Sequence, residues 1–205
     1  MRSFTATLVV ALVTIATLLF PVPSKAAALP DASSSAAVPP PLVDSSAAST
    51  NRERAQQLVH TAINLTDSNR AVSMLWQATQ IDPTFEESYI YLALYYNSRS
   101  QFDRVVQVYQ RLVKYAPKET SAWMNIGEAY MSFSPPRFDA ALPYYLKAFQ
   151  LDPTSSFAAL RLGEIYAQQD NRSEAMRYLR LASGDRKKNP EIAQQAERLM
   201  RQMGS

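Results

Sequence analysis

The side chains able to do chemistry are few. There is no Cys and a single His, His60, so thiolate sites, disulfides and cysteine nucleophiles are absent from the sequence. A His-based triad or a multi-His metal site has one residue to draw on. His60 has Gln56 and Asn64 at helical spacing, and neither is a carboxylate that would orient an imidazole. The four glycines, Gly127, Gly163, Gly184 and Gly204, are too scattered for a phosphate-cradling loop. No Gly-x-Ser-x-Gly elbow occurs. Glu86 with Glu87 and Glu128 with Glu164 are the carboxylate pairs, and the first opens a helical pattern, where acids favour the dipole. The expectation is therefore no catalytic residue, no metal site, no cofactor and no enzyme.

The remaining chemistry is recognition. Of 205 residues 47% are apolar and 19% charged, enough to build a core. The net charge of +3 is spread out, and Arg186-Lys187-Lys188 is the only basic run. That run is expected to be a solvated turn, and nucleic acid is not an expected partner.

Two segments precede the periodic part. Leu8 to Phe20 is an apolar run of about 13 residues, preceded by Arg2 and followed by the small residues of Ser24 to Ala28. A spanning helix needs about 20 apolar residues. Residues 1–28 are thus expected to be a cleaved secretory signal, with an uncleaved anchor over residues 5–22 as the alternative. An exported location follows, in the periplasm or cell envelope, with membrane attachment only if the signal is kept. Residues 29–51 are rich in Ala, Ser and Pro and are expected to form a disordered linker.

The rest repeats. Ile81-Asp82-Pro83, Tyr115-Ala116-Pro117 and Leu151-Asp152-Pro153 recur at intervals of 34 and 36 residues. Aligned on those prolines, Tyr89, Leu92, Ala93 and Tyr96 match Trp123, Ile126, Gly127 and Tyr130, then Ala159, Leu162, Gly163 and Tyr166. Ala141, Tyr145 and Ala148 align with Ala175, Leu179 and Ala182. Each period reads as two amphipathic helices, with small residues where the pair approaches closely. Pro143 falls inside a second helix, about one turn in. Gly184 reads as a left-handed helix stop. Asn189-Pro190 opens a last helix whose stripe of Ile192, Ala193, Ala196, Leu199, Met200 and Met203 suits a cap.

Trp123-x-x-Ile126-Gly127-x-x-Tyr130, followed by Ala141-x-x-x-Tyr145 and Pro153, resembles the tetratricopeptide repeat. The resemblance implies an all-α, right-handed superhelical array of about four helix-turn-helix units. They span residues 52–85, 86–119, 120–155 and 156–189, with a capping helix over 190–205. In this family partners usually lie in the concave groove, lined by the first helix of each unit. Carried over position by position, the groove takes in Ile90, Tyr91, Leu94, Met124, Asn125, Glu128, Arg161 and Glu164, with Gln56, His60, Asn97, Met131 and Leu160 around them. Some relatives clamp a peptide carboxylate with five basic and amide residues. Only Asn125 and Arg161 match that set, while Ile90, Leu94 and Phe157 replace the others, so that clamp is not expected. Arg161 itself reads as a solvated residue of a helix face. The expected function is an adaptor or scaffold that binds a protein, peptide or helix in the groove. The alternatives are a self-associating homo-oligomer and an accessory subunit of an envelope complex.

Overall fold

The computed structural model describes residues 45–184 and 186–204. The expected signal segment and most of the linker lie outside them. Among the described residues all regular structure is helical: α1 (Ser45–Ile63), α2 (Ser68–Ile81), α3 (Glu86–Asn97), α4 (Phe102–Tyr115), α5 (Thr120–Met131), α6 (Phe138–Leu151), α7 (Ser156–Gln168), α8 (Arg172–Gly184) and α9 (Pro190–Gly204). Consecutive helices alternate with short turns, the pattern of a helical-repeat array. The helices fall into two compact units, one ending at Ser98 and one starting at Arg99.

In the first unit α1 packs on α2, and α2 on α3. Ala55, Val59 and Ala62 of α1, Ala71, Leu75 and Ala78 of α2, and Tyr89, Leu92 and Ala93 of α3 are buried. The helix α1 starts at Ser45, inside the stretch expected to be a linker up to Asn51. The last proline of that stretch is Pro41, and Ala47 and Ala48 are strong helix formers, so nothing stops the helix from extending backward. Asp67 caps α2, its carboxylate accepting from the amides of Asn69 and Arg70 at 3.0 and 3.2 Å.

The second unit stacks α4 to α9. Ala141, Tyr145, Leu162, Ile165 and Tyr178 form one buried cluster. Ala159, Leu160, Leu179, Ala182 and Ala196 form another, covered by Ile192, Leu199, Met200 and Met203 of α9. The small positions are small for a steric reason. A Cβ on Gly127 would lie 2.7 Å from the Tyr145 ring, and one on Gly163 would lie 2.6 Å from the Leu179 side chain. The two surplus residues of the 36-residue period lie in the turn between α5 and α6, around Ser134-Pro135-Pro136. Pro143 is the sixth residue of α6, past the first turn, and the helix runs through it. It sits on the exposed face, where the unpaired carbonyl of Asp139 can reach water. Gly184 ends α8 without a positive φ, contrary to the left-handed stop read from the sequence.

The aligned prolines mark equivalent turns. Thr154 donates from its amide and hydroxyl to Asp152 Oδ1 at 3.0 and 2.7 Å. Thr84 does the same to Asp82 Oδ1 at 2.9 and 2.7 Å. The aromatic residue six positions after the proline closes the turn from the other side. Tyr89 Oη donates to the carbonyl of Pro83, and Trp123 Nε1 to that of Pro117, both at 2.9 Å.

Candidate functional site

Ile90, Tyr91 and Leu94 lie half-buried on α3 in the first unit. Burial, and then the nearby carboxylate of Glu87, raise the Tyr91 phenol above its usual pKa. His60 and Gln56 are exposed on α1.

In the second unit, α5 carries Met124, Asn125 and Glu128, and α7 carries Arg161 and Glu164. These helices are joined by an ion-pair cluster. Arg161 grips Glu128 with two parallel bonds, Nε to Oε1 at 2.7 Å and Nη2 to Oε2 at 2.9 Å. Its Nη1 donates to Glu164 Oε2 at 2.8 Å. Tyr145 Oη donates to Glu128 Oε1 from below, and Gln195 Nε2 of α9 donates to Glu164 Oε1 at 2.8 Å. The guanidinium also lies 5.1 Å from the Phe157 ring centroid. The side chains of Arg161, Glu128 and Glu164 are 25%, 33% and 16% exposed, so water screens the cluster only in part.

Burial works against the charge on Arg161. The two carboxylates outweigh it and raise the guanidinium pKa. Burial, and next the charge on Glu128, push the Tyr145 phenol far above its usual range, so it stays protonated and donates. Arg161 is therefore no solvated residue of a helix face. Its bidentate reach is spent on this chain's own Glu128, and a partner's carboxylate would have to displace that pair. Leu160 is also removed from the expected lining, since it packs under α9.

The open groups of this face are Met124 and Asn125. Met124 is half-buried, and its sulfur receives the Ser155 hydroxyl at 3.8 Å. Among the described residues no hydrogen bond reaches the Asn125 carboxamide, which is partly exposed beside the cluster. An unpaired amide offers a donor and an acceptor together, the pair that an extended peptide backbone requires. Sequence reasoning missed two parts of the cluster. Tyr145 read only as core, and Gln195 lies on α9, outside the repeat pattern. The signal for the rest was present: Arg161 and Glu164 stand three residues apart on one face, and Glu128 aligns with Glu164. Among the described residues no group of three or more His, Asp or Glu could hold a metal ion, and no helix is long and apolar enough to cross a membrane.

Comparison with known proteins agrees with this architecture. Residues 137–201 match the tetratricopeptide repeat. Mouse superkiller complex protein 3 is 26% identical over 126 residues, which are 60% of this chain and 8% of that protein. Anaphase-promoting complex subunit 3 of Schizosaccharomyces pombe is 21% identical over 110 residues, 54% of this chain and 16% of that one. The chain thus spans a small fraction of the curated relatives it matches. Among solved structures, one of MamA superposes with a TM-score of 0.55 at 20% identity, covering 70% of this chain and 84% of MamA. TTC0263, a thermophilic repeat protein of Thermus thermophilus, gives 0.53 at 22% identity, covering 73% and 83%. These likenesses show the fold: an all-α array of tetratricopeptide-like helix pairs.

Proposed function

We propose that this tetratricopeptide-repeat protein is an adaptor that holds an extended or helical protein segment against the first helices of its repeats. In the second unit that segment lies along α5 and α7. The single observation that carries the reading is the Asn125 carboxamide, partly exposed and without a hydrogen-bond partner among the described residues, set between Met124 and the Arg161 cluster. The cluster fixes α5 against α7, so the amide is presented on a rigid surface and less entropy is lost when a peptide pairs with it. In the first unit Ile90, Tyr91 and Leu94 of α3 offer half-buried apolar contacts of the kind that dominate interfaces. The proposed place of action is the cell envelope, and this rests on the apolar run Leu8 to Phe20 and the small residues after it.

The test is a photo-reactive residue placed at Asn125 in natively expressed protein, with one at the exposed Gln107 of α4 as the comparison. A discrete heterologous adduct from position 125, absent from position 107, is the expected result. Equal labelling from both positions overturns the groove assignment. Adducts of the chain with itself favour the self-associating alternative. The mature N-terminus is read from the same sample. A start near Ala27 or Leu29 supports export of a soluble form, and a retained Arg2 supports the anchor.

A further inference from the structure

The second unit has a second feature, on the outer helices rather than the groove helices. The starts of α4, α6 and α8 carry acids, and all of these are engaged. Asp103 pairs with Arg137 at 3.6 Å, Asp139 accepts from Gln169 at 2.7 Å, and Glu174 pairs with Arg177 at 2.9 Å. The first two contacts also tie the start of each outer helix to the start of the next. Further along, Gln110 donates to Tyr144 Oη at 3.1 Å, and the rings of Phe149 and Tyr178 meet at 5.5 Å. The three helices therefore run side by side in one direction, and their other ends form one edge.

That edge is basic. It holds Lys114 and Lys118, then Lys147, then Arg180, Lys187 and Lys188. Among the described residues none of these forms an ion pair. Among the described residues the acids at this end form no ion pair with these cations. Glu119 accepts from Ser121, and Asp152 accepts from Thr154 within its own turn. A helix macrodipole favours cations in a last turn, but of these helices only α4 has one there, Lys114. The edge also carries the two exposed large apolar side chains found among the described residues, Tyr115 at 38% and Leu181 at 48%. Lys114 Nζ lies 5.9 Å from the Tyr115 ring centroid. Leu181 borders a shallow cavity of about 250 Å³, walled by Pro153, Ser155, Ala159, Gly184 and Lys188.

Unpaired cations around exposed apolar groups call for an occupant that is anionic and apolar at once. We propose that this edge is a second docking surface, taken by an acidic amphipathic segment of a protein partner. Its carboxylates pair with the Lys and Arg side chains, and one apolar side chain enters the cavity beside Leu181. The assignment is independent of the groove and stands if the groove reading fails.

The probe is a fluorescein-labelled peptide of Glu-Glu-Leu repeated four times, titrated with the full chain and followed by anisotropy in about 0.15 M NaCl. The Gln-Gln-Leu counterpart is the neutral control. Expected is binding of the acidic peptide alone, weakened about tenfold in the Lys114→Glu, Lys118→Glu, Lys147→Glu variant and severalfold in Leu181→Ser. A charge-matched variant, Arg54→Glu, Arg70→Glu, Arg201→Glu, changes exposed cations elsewhere and is expected to bind within about twofold of the parent. Equal loss in the two triple variants overturns the proposal, because attraction is then set by net charge alone. An unchanged affinity in Leu181→Ser overturns the apolar part. Binding to vesicles with phosphatidylglycerol but not to the peptide replaces the protein segment with a lipid surface. Circular dichroism of each variant separates lost binding from lost folding.

Discussion

Gly127 and Gly184 are both helical glycines with opposite surroundings, and their substitutions should differ in sign. Alanine at Gly127 meets the Tyr145 ring at 2.7 Å. That ring is fully buried and tethered to Glu128, so it cannot swing away. Overpacking of about 1–3 kcal/mol outweighs the roughly 1 kcal/mol that Ala gains over Gly in a helix. Gly127→Ala is expected to lower the urea midpoint, and Gly163→Ala to do the same against Leu179. Gly184 has nothing within 4 Å of a built Cβ and no positive φ, so Gly184→Ala should raise stability by about 0.4–1 kcal/mol. Tyr145 gives a second residue-level prediction, in pH. Its folded pKa lies above the ordinary value of 10.0. The neutral phenol is favoured in the folded state, so its contribution is complete below about pH 10 and is lost as pH rises beyond it. Urea midpoints measured from pH 8 upward should fall above about pH 10. In Tyr145→Phe the stability at pH 8 should be lower by about 1 kcal/mol and the alkaline fall smaller. An unchanged alkaline fall in that variant would remove Tyr145 from the account.

The two Asp-Pro-Thr turns have the same hydrogen bonds but different settings. Asp152 serves only its own turn and is half-buried. Asp82 is 9% exposed and also takes Arg52 Nε of α1 at 2.5 Å, while Arg52 Nη2 donates to Thr84 Oγ1 at 3.2 Å. Replacing Asp152 with Ala should cost about 0.5–1.5 kcal/mol. Replacing Asp82 with Ala removes the turn bonds and the docking of α1 together, and should cost about 2–3 kcal/mol. Chemical unfolding followed by tryptophan fluorescence can compare them, since Trp76 and Trp123 lie in different units. Equal losses would show that the Arg52 contact contributes nothing. At this scale the sequence was most legible. Apolar residues at three- and four-residue steps, and a proline after α2, α4 and α6, placed the helices because both are local consequences of backbone geometry. The start of α1 was less legible, because Ala and Ser permit a helix without announcing one. The commitment of Arg161 was hidden for another reason: Glu128 lies 33 residues away, and only the stacking of α5 on α7 brings them together.

A repeat array has no central core, so its stability depends on each helix pair having a neighbour to cover it. In the second unit α9 supplies the last cover. Ala196 is buried against Leu160, Leu179 and Ala182, with Ile192, Leu199, Met200 and Met203 packed around them. Asn189 Nδ2 ties the approach to α9 to Ser156 Oγ at 3.0 Å, and Gln195 ties α9 to the ion-pair cluster through Glu164. Deleting residues 190–205 would uncover this cluster and remove one partner of Glu164. Burying a single large aliphatic side chain is worth about 1.5–3 kcal/mol, and several are covered here at once. The expected outcome is that α7 and α8 lose their fold, with helicity falling by more than the deleted residues account for. Size-exclusion chromatography with circular dichroism distinguishes this from the rival role of α9 as a self-association helix. That role predicts a fully folded core and a shift from dimer to monomer. The apolar stripe of α9 is already spent on Leu160 and Leu179 of its own chain, so it has little left to offer a second copy. Changing Met200 to Glu should therefore lower the urea midpoint without altering the elution volume, and a change in elution volume at constant stability would reverse the assignment.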